Sequence, residues 1–221
     1  MSKKQSVTSQ QCFLINDQEQ VIASEAFKSV RTNLLSILSS YENETKSICF
    51  TGPEAGSGST LNCVNIAVSF AQMGAKVLLI DTDMRHPQVN RFFDLPVAPG
   101  LSECLVGTSC VENTIVAHPD ILGLSILPSG AVPPNPTELI LSKRFNELLN
   151  TVKNEYDYVF IDTPPACTVT DAAIISTKTL GAILICRSGQ TKSDVAKKAK
   201  HIIQQAGGKI IGTILNGASL K

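Results

Sequence analysis

Two five-residue runs, Val77-Leu78-Leu79-Ile80-Asp81 and Tyr158-Val159-Phe160-Ile161-Asp162, are unbroken apolar or aromatic stretches that each end on an aspartate. Runs of this length without polar alternation belong to strands buried on both faces, as in a parallel sheet covered by helices. The rest of the chain follows the same scheme. Residues 47–51, 124–128, 181–187 and 209–215 read as further strands. A helix capped by Ser24 places Phe27, Val30, Leu34, Ile37 and Leu38 on one face. Others are expected over 59–74, with Gly74 ending the helix, and over 137–156 and 194–205. The region 90–120 has no single period. Strands alternating with helices demand right-handed crossovers, so the expected fold is α/β, one doubly wound, mostly parallel sheet flanked by helices. Ligands bind such sheets beyond the carboxyl ends of the strands.

A length of 221 residues, 43% of them hydrophobic, suits one domain over 21–221, preceded by a polar, flexible N-terminal arm over 1–20. With 19 basic and 19 acidic residues there is no broad basic field for nucleic acid or a membrane surface. No stretch approaches the roughly 18 apolar residues of a membrane span, so the expected location is cytoplasmic, with membrane association only through a partner. The seven cysteines lack metal-ligand spacing and read as small buried hydrophobes in a reducing compartment.

Three segments carry chemistry. The first, Thr51-Gly52-Pro53-Glu54-Ala55-Gly56-Ser57-Gly58-Ser59-Thr60, lies between a strand and a helix. Its glycines let backbone N–H groups turn toward an anion, and the helix N-terminus adds a favourable dipole. A complete GxxxxGK[ST] loop would place lysine at 59 and glycine at 53, where this chain has Ser59 and Pro53. Thr60 keeps the hydroxyl that can ligate Mg²⁺. The second segment delivers Asp81 and Asp83 from one strand tip, two apart and so pointing the same way. The third delivers Asp162. Three strand-tip acids beside a Gly-rich loop are the parts needed for Mg-nucleotide chemistry. Arg187 and Asn216, at the ends of two further strands, border the same crevice and are expected beside the base of ATP.

LLIDTDMRHP and VFIDTPP, with PSGAVPPNPTELILSKRF and TVTDA, resemble the bacterial tyrosine kinases (BY-kinases) of capsule and exopolysaccharide synthesis, relatives of MinD/ParA-type P-loop ATPases. The resemblance runs from about Glu25 to Asn216. It implies ATP and Mg²⁺ as cofactors, with Gly56, Ser57, Gly58, Ser59 and Thr60 around the phosphates. It implies Thr60, Asp83 and Asp162 on Mg²⁺ and Asp81 as base toward a tyrosine hydroxyl, with the division between Asp81 and Asp83 left open. Glu25, Lys28 and Arg31 stand where the family carries an ExxRxxR oligomerisation motif, which implies a homo-oligomeric ring. The implied partner is a membrane-anchored activator, a chain-length regulator.

The chain departs from the family pattern at Ser59, at Lys28 in place of an arginine, and in ending GASLK without a tyrosine cluster. Loss of the loop lysine removes transition-state stabilisation. The expectation is therefore a tyrosine-kinase domain impaired in turnover; the alternatives are a non-catalytic regulatory subunit acting through partner contacts and a MinD/ParA-like switch. His86, His118 and His201 read as surface or loop residues, the lysines at 192, 197, 198 and 200 as a solvated face, and Pro133–Pro136 as a rigid turn before a helix capped near Thr137.

Overall fold

A computed structural model describes residues 21–41 and 46–218. The arm over 1–20 and Cys12 lie outside the described residues. The chain runs α1 (Val21–Leu38), β1 (Lys46–Thr51), α2 (Ser59–Gln72), β2 (Val77–Asp81), α3 (Val89–Phe92), α4 (Leu101–Val106), β3 (Val116–Ala117) and β4 (Leu124–Leu127). It continues through α5 (Pro136–Leu141), α6 (Lys143–Glu155), β5 (Tyr158–Asp162), α7 (Asp171–Ser176), β6 (Ala182–Arg187), α8 (Ser193–Gln205) and β7 (Ile210–Asn216). The strands form one sheet in the order β3-β4-β2-β5-β1-β6-β7, parallel throughout except for β3 against β4.

The unbroken apolar runs are explained by burial on both sides. Along β2 and β5, Val77, Leu79, Tyr158 and Phe160 face a core completed by α1 and α2, while Leu78, Ile80, Val159 and Ile161 face one completed by α4 to α8. In the first core Phe70 of α2 meets Tyr158 and Phe160 edge-on, with ring centroids at 4.7 and 5.1 Å. Such pairs add about 0.5–1.5 kcal/mol beyond area burial. On α1, Phe27, Leu34 and Leu38 are buried and Val30 and Leu35 pack against them, as the periodicity requires.

Three readings need correction. The helix expected over 137–156 is two helices, because Ser142 takes an extended conformation and its hydroxyl caps α6 by accepting from the Phe145 N–H. Thr137 caps nothing: Pro136 already occupies the first turn of α5, behind an N-cap at Asn135. Cys110 is exposed rather than a core residue, and Cys167 is half-buried, whereas Cys49, Cys63, Cys104 and Cys186 are buried thiols. No helix among the described residues is long and apolar enough to cross a membrane.

Candidate nucleotide and acid site

The loop after β1 is stitched to the segment after β5. Thr51 donates its hydroxyl to the Pro164 carbonyl at 2.9 Å, and the Ala166 and Cys167 N–H groups donate to the carbonyls of Gly52 and Pro53 at 2.9 and 3.2 Å. The far end of the loop is held by the last two strands. Arg187 Nη1 donates to the Gly56 carbonyl and Asn216 Nδ2 to the Ser57 carbonyl, both at 3.1 Å. Two glycines are required by space. A Cβ on Gly52 would sit 1.7 Å from Ser57 Oγ, and one on Gly58 would sit 2.2 Å from Asn216 Nδ2, at a left-handed φ of +87°.

Gly58 is the N-cap of α2 and offers no side chain, so the first N–H groups of the helix have no intrahelical partner and open onto the loop. Ser57 Oγ is buried without a hydrogen-bond partner among the described residues. Orphan N–H donors at a helix start fit a phosphate. Ser59 and Thr60 are half-buried in the first turn.

The acids lie at the adjacent tips of β2 and β5. Asp81 is fully buried; one oxygen accepts from the Asp83 N–H at 3.0 Å and the other from the Gln88 and Val89 N–H groups at 3.2 and 3.1 Å. Asp81 thus anchors the turn that follows β2. Burial pushes its pKa up to about 7, against the pull of those three donors. Asp83 reaches solvent, accepts from the His86 N–H at 3.0 Å, and is also raised by burial. Asp162 is buried with one oxygen unpartnered; burial first, then the charge of Asp81, pushes its pKa well up, while the Thr60 side chain bonded to it works the other way.

No group of three or more His, Cys, Asp or Glu side chains among the described residues closes around one point. The donors present still fit Mg²⁺, which is held through one or two carboxylates with the remaining positions filled by water and phosphate oxygens. Thr60, Asp162 with its orphan oxygen, and Asp83 are all-oxygen donors of that kind. The other residues expected at the site are placed as follows. Gly56 is exposed at the loop tip, and Arg187 and Asn216 border the loop itself. Glu25 and Lys28 pair with each other at 2.7 Å on the exposed side of α1. Arg31 points elsewhere: its Nη1 donates to the Ser69 carbonyl and hydroxyl of α2 at 2.7 and 3.1 Å.

One cluster escaped the sequence reading. Asp171, fully buried at the start of α7, accepts from Arg85 Nη1 and from the Thr137 hydroxyl, the latter at 2.6 Å; Arg85 Nη2 in turn donates to that hydroxyl at 2.8 Å. The segments DTDMRHP, PPNPTEL and TVTDA are thereby joined behind the acids. The signal available in the sequence was the presence of those three segments, not their contact.

A mostly parallel sheet with a Gly-rich strand-to-helix loop and acids on neighbouring strand tips is the MinD-like P-loop NTPase fold. Residues 45–189 match the family described as an AAA domain. Tyrosine-protein kinase YwqD of Bacillus subtilis is 39% identical over 197 residues, covering 89% of this chain and 82% of the relative. Tyrosine-protein kinase CpsD of Streptococcus agalactiae serotype Ia is 38% identical over 196 residues, covering 88% and 82%. Among solved structures, the kinase domain of Escherichia coli tyrosine kinase ETK aligns at a TM-score of 0.89 and 31% identity, over 100% of this chain and 84% of that one. Cell division ATPase MinD of Pyrococcus furiosus, 23% identical at a TM-score of 0.67 over 79% of this chain and 74% of its own, shares the fold. The chain belongs to the bacterial tyrosine-kinase family.

Proposed function

We propose that this chain is an ATP-dependent protein-tyrosine kinase domain of capsule and exopolysaccharide synthesis, with phosphoryl transfer weakened at Ser59. The observation that carries the reading is the Thr60–Asp162–Asp81 constellation: a loop hydroxyl on a buried carboxylate with an orphan oxygen, beside a second buried carboxylate poised near neutrality. The loop N–H groups and the α2 start bind the phosphates. Thr60, Asp83 and Asp162 hold Mg²⁺, which supplies charge neutralisation on the transferring group. Asp81 takes the tyrosyl proton, for which a pKa of about 7 is well matched. Because Asp81 is enclosed, the hydroxyl meets it only when the turn it anchors gives way.

Serine at 59 supports a second reading, a regulatory subunit that keeps the fold and acts by contacts. In both readings the partner is a membrane-anchored activator, the chain is cytoplasmic and reaches the membrane only through that partner, and the exposed Glu25 and Lys28 serve a ring of subunits, with Arg31 positioning α1 on α2. The deciding experiment titrates Mg-ATP by calorimetry and follows transfer to a tyrosine-bearing activator fragment, for the native chain and Ser59→Lys. The kinase reading expects weak transfer that Ser59→Lys raises and Asp81→Asn abolishes without loss of nucleotide binding. Tight binding by Ser59→Lys with no transfer selects the regulatory subunit. Failure of both proteins to bind Mg-ATP or Mg-ADP removes the nucleotide site altogether.

A further inference from the structure

The phosphate loop of this chain contains no lysine or arginine between residues 51 and 60. A triphosphate brought to it meets N–H dipoles but no full positive charge from the loop itself. Nearby cations are mostly committed. Arg85 is held by the buried Asp171 carboxylate and by Thr137, and Arg31 by Ser69. Arg187 differs. It ends β6, whose Leu184 is the register partner of Thr51, so Arg187 lies past the strand end alongside the loop. Its side chain is exposed and touches the loop at the Gly56 carbonyl, through one of its two terminal nitrogens. Its backbone is fixed: the Arg187 N–H donates to Thr191 Oγ1 at 2.9 Å, and the next N–H, of Ser188, to the Asn216 carbonyl at 2.8 Å.

We propose that Arg187 supplies, at the phosphate loop, the positive charge that Ser59 does not. This deepens the nucleotide-binding reading and rests on it. A guanidinium is charged at every working pH and has five N–H donors in a planar fork, so one contact to Gly56 leaves others for phosphate oxygens. The contact also places the group at the rim before ligand arrives, which reduces the ordering cost of binding. The role is electrostatic, and its signature is dependence on the number of phosphates. A residue serving the base or ribose weakens adenosine, ADP and ATP alike. A residue serving the phosphates weakens ADP and ATP and spares adenosine.

The test is calorimetry with adenosine, Mg-ADP and Mg-ATP on the full chain, on Arg187→Gln and on Arg187→Lys, each with Ser59 or Ser59→Lys. Glutamine removes the charge and keeps a polar amide on a shorter side chain. The expected result is a loss on the order of tenfold for Mg-ATP in Arg187→Gln, with adenosine unchanged and Arg187→Lys largely rescued. In the Ser59→Lys background the same substitution costs about threefold or less, since the site then has its own cation. An equal loss in both backgrounds, or a loss that adenosine shares, overturns the proposal. So does an unchanged Arg187→Gln with the loss appearing instead in Lys198→Gln, a lysine of α8 whose charge acts on Cys167, the residue bonded to the Pro53 carbonyl. Binding by Ser59→Lys alone also overturns it while leaving the nucleotide site standing. Absence of binding in every protein removes both.

Discussion

Asp81 and Asp162 are register partners on adjacent parallel strands, both buried, and among the described residues neither forms an ion pair with a lysine or arginine. Burial and the charge of Asp81 make Asp162 harder to ionise, burial and the charge of Asp83 do the same to Asp81, and the native fold holds the two together at the crevice where β2 and β5 end. The arrangement costs stability when both are charged.

The sign of the pH dependence follows. Both are acids whose folded pKa lies above the ordinary value of 3.8, Asp81 at about 7 and Asp162 well raised. From about pH 4 upward the native state binds more protons than the unfolded chain, so this pair's contribution is fully present at low pH and is lost as pH rises through about 7. Urea denaturation of the metal-free chain between pH 5 and pH 8 is expected to show a falling stability that is flatter in Asp162→Asn. Magnesium with ADP should recover more stability at pH 8 than at pH 5. A wild-type-minus-variant difference that rises with pH contradicts this.

Gly52→Ala should damage the loop through Ser57. The new Cβ meets Ser57 Oγ at 1.7 Å and Ser57 Cβ at 2.7 Å, so the serine must leave its pocket, at about 1–3 kcal/mol. Ser57→Gly removes the clash. Gly52→Ala with Ser57→Gly is therefore expected to melt above Gly52→Ala alone, a coupling that separate surface sites do not show.

Asp171→Ala strands Arg85 and the Thr137 hydroxyl behind the acids. We expect a loss of about 2–4 kcal/mol in chemical denaturation, below the full range for a buried pair because the Arg85 side chain keeps 28% of its exposure. Asp171→Asn, which retains an acceptor for Thr137, should recover part of it. Equal stability of the two variants would show that the hydroxyl contact contributes nothing.

Arg31→Ala and Lys28→Ala separate docking from assembly. Arg31 anchors α1 on the backbone of α2, so its loss should lower monomer stability by about 1–2 kcal/mol. The exposed Glu25–Lys28 pair is worth roughly 0–1 kcal/mol and its loss should leave the melting temperature almost unchanged. Light scattering at low salt then reports assembly: dissociation by Lys28→Ala without destabilisation places the α1 surface in a subunit contact.

The sequence made β2 and β5 legible because burial on both faces leaves an unbroken apolar run, and the strand-tip acids and the loop were legible because each is local. What was hidden is long-range or too short for a period. α7 spans six residues and begins inside TVTDA, β3 only two, and neither has a pattern to read. The break at Ser142 is a single extended residue inside a continuous helical pattern. Arg31 reaching Ser69, and Arg85 and Thr137 converging on Asp171, are meetings of side chains whose positions only the fold brings together.

β1, the strand that carries the phosphate loop, sits between β5 and β6: Lys46 pairs with Tyr158, and Cys49 with Ala182. On the ribosome it therefore emerges long before either neighbour exists, and non-local pairing of this kind is slow to form. The carbonyls of Gly56 and Ser57 gain their supports later still, from the ends of β6 and β7. A nascent chain released before β7 would leave β6 as an open edge and the Ser57 carbonyl without its Asn216 donor. Nucleotide present during synthesis would then act on the last step of assembly, and a pulse-proteolysis time course with and without Mg-ADP would read that step directly.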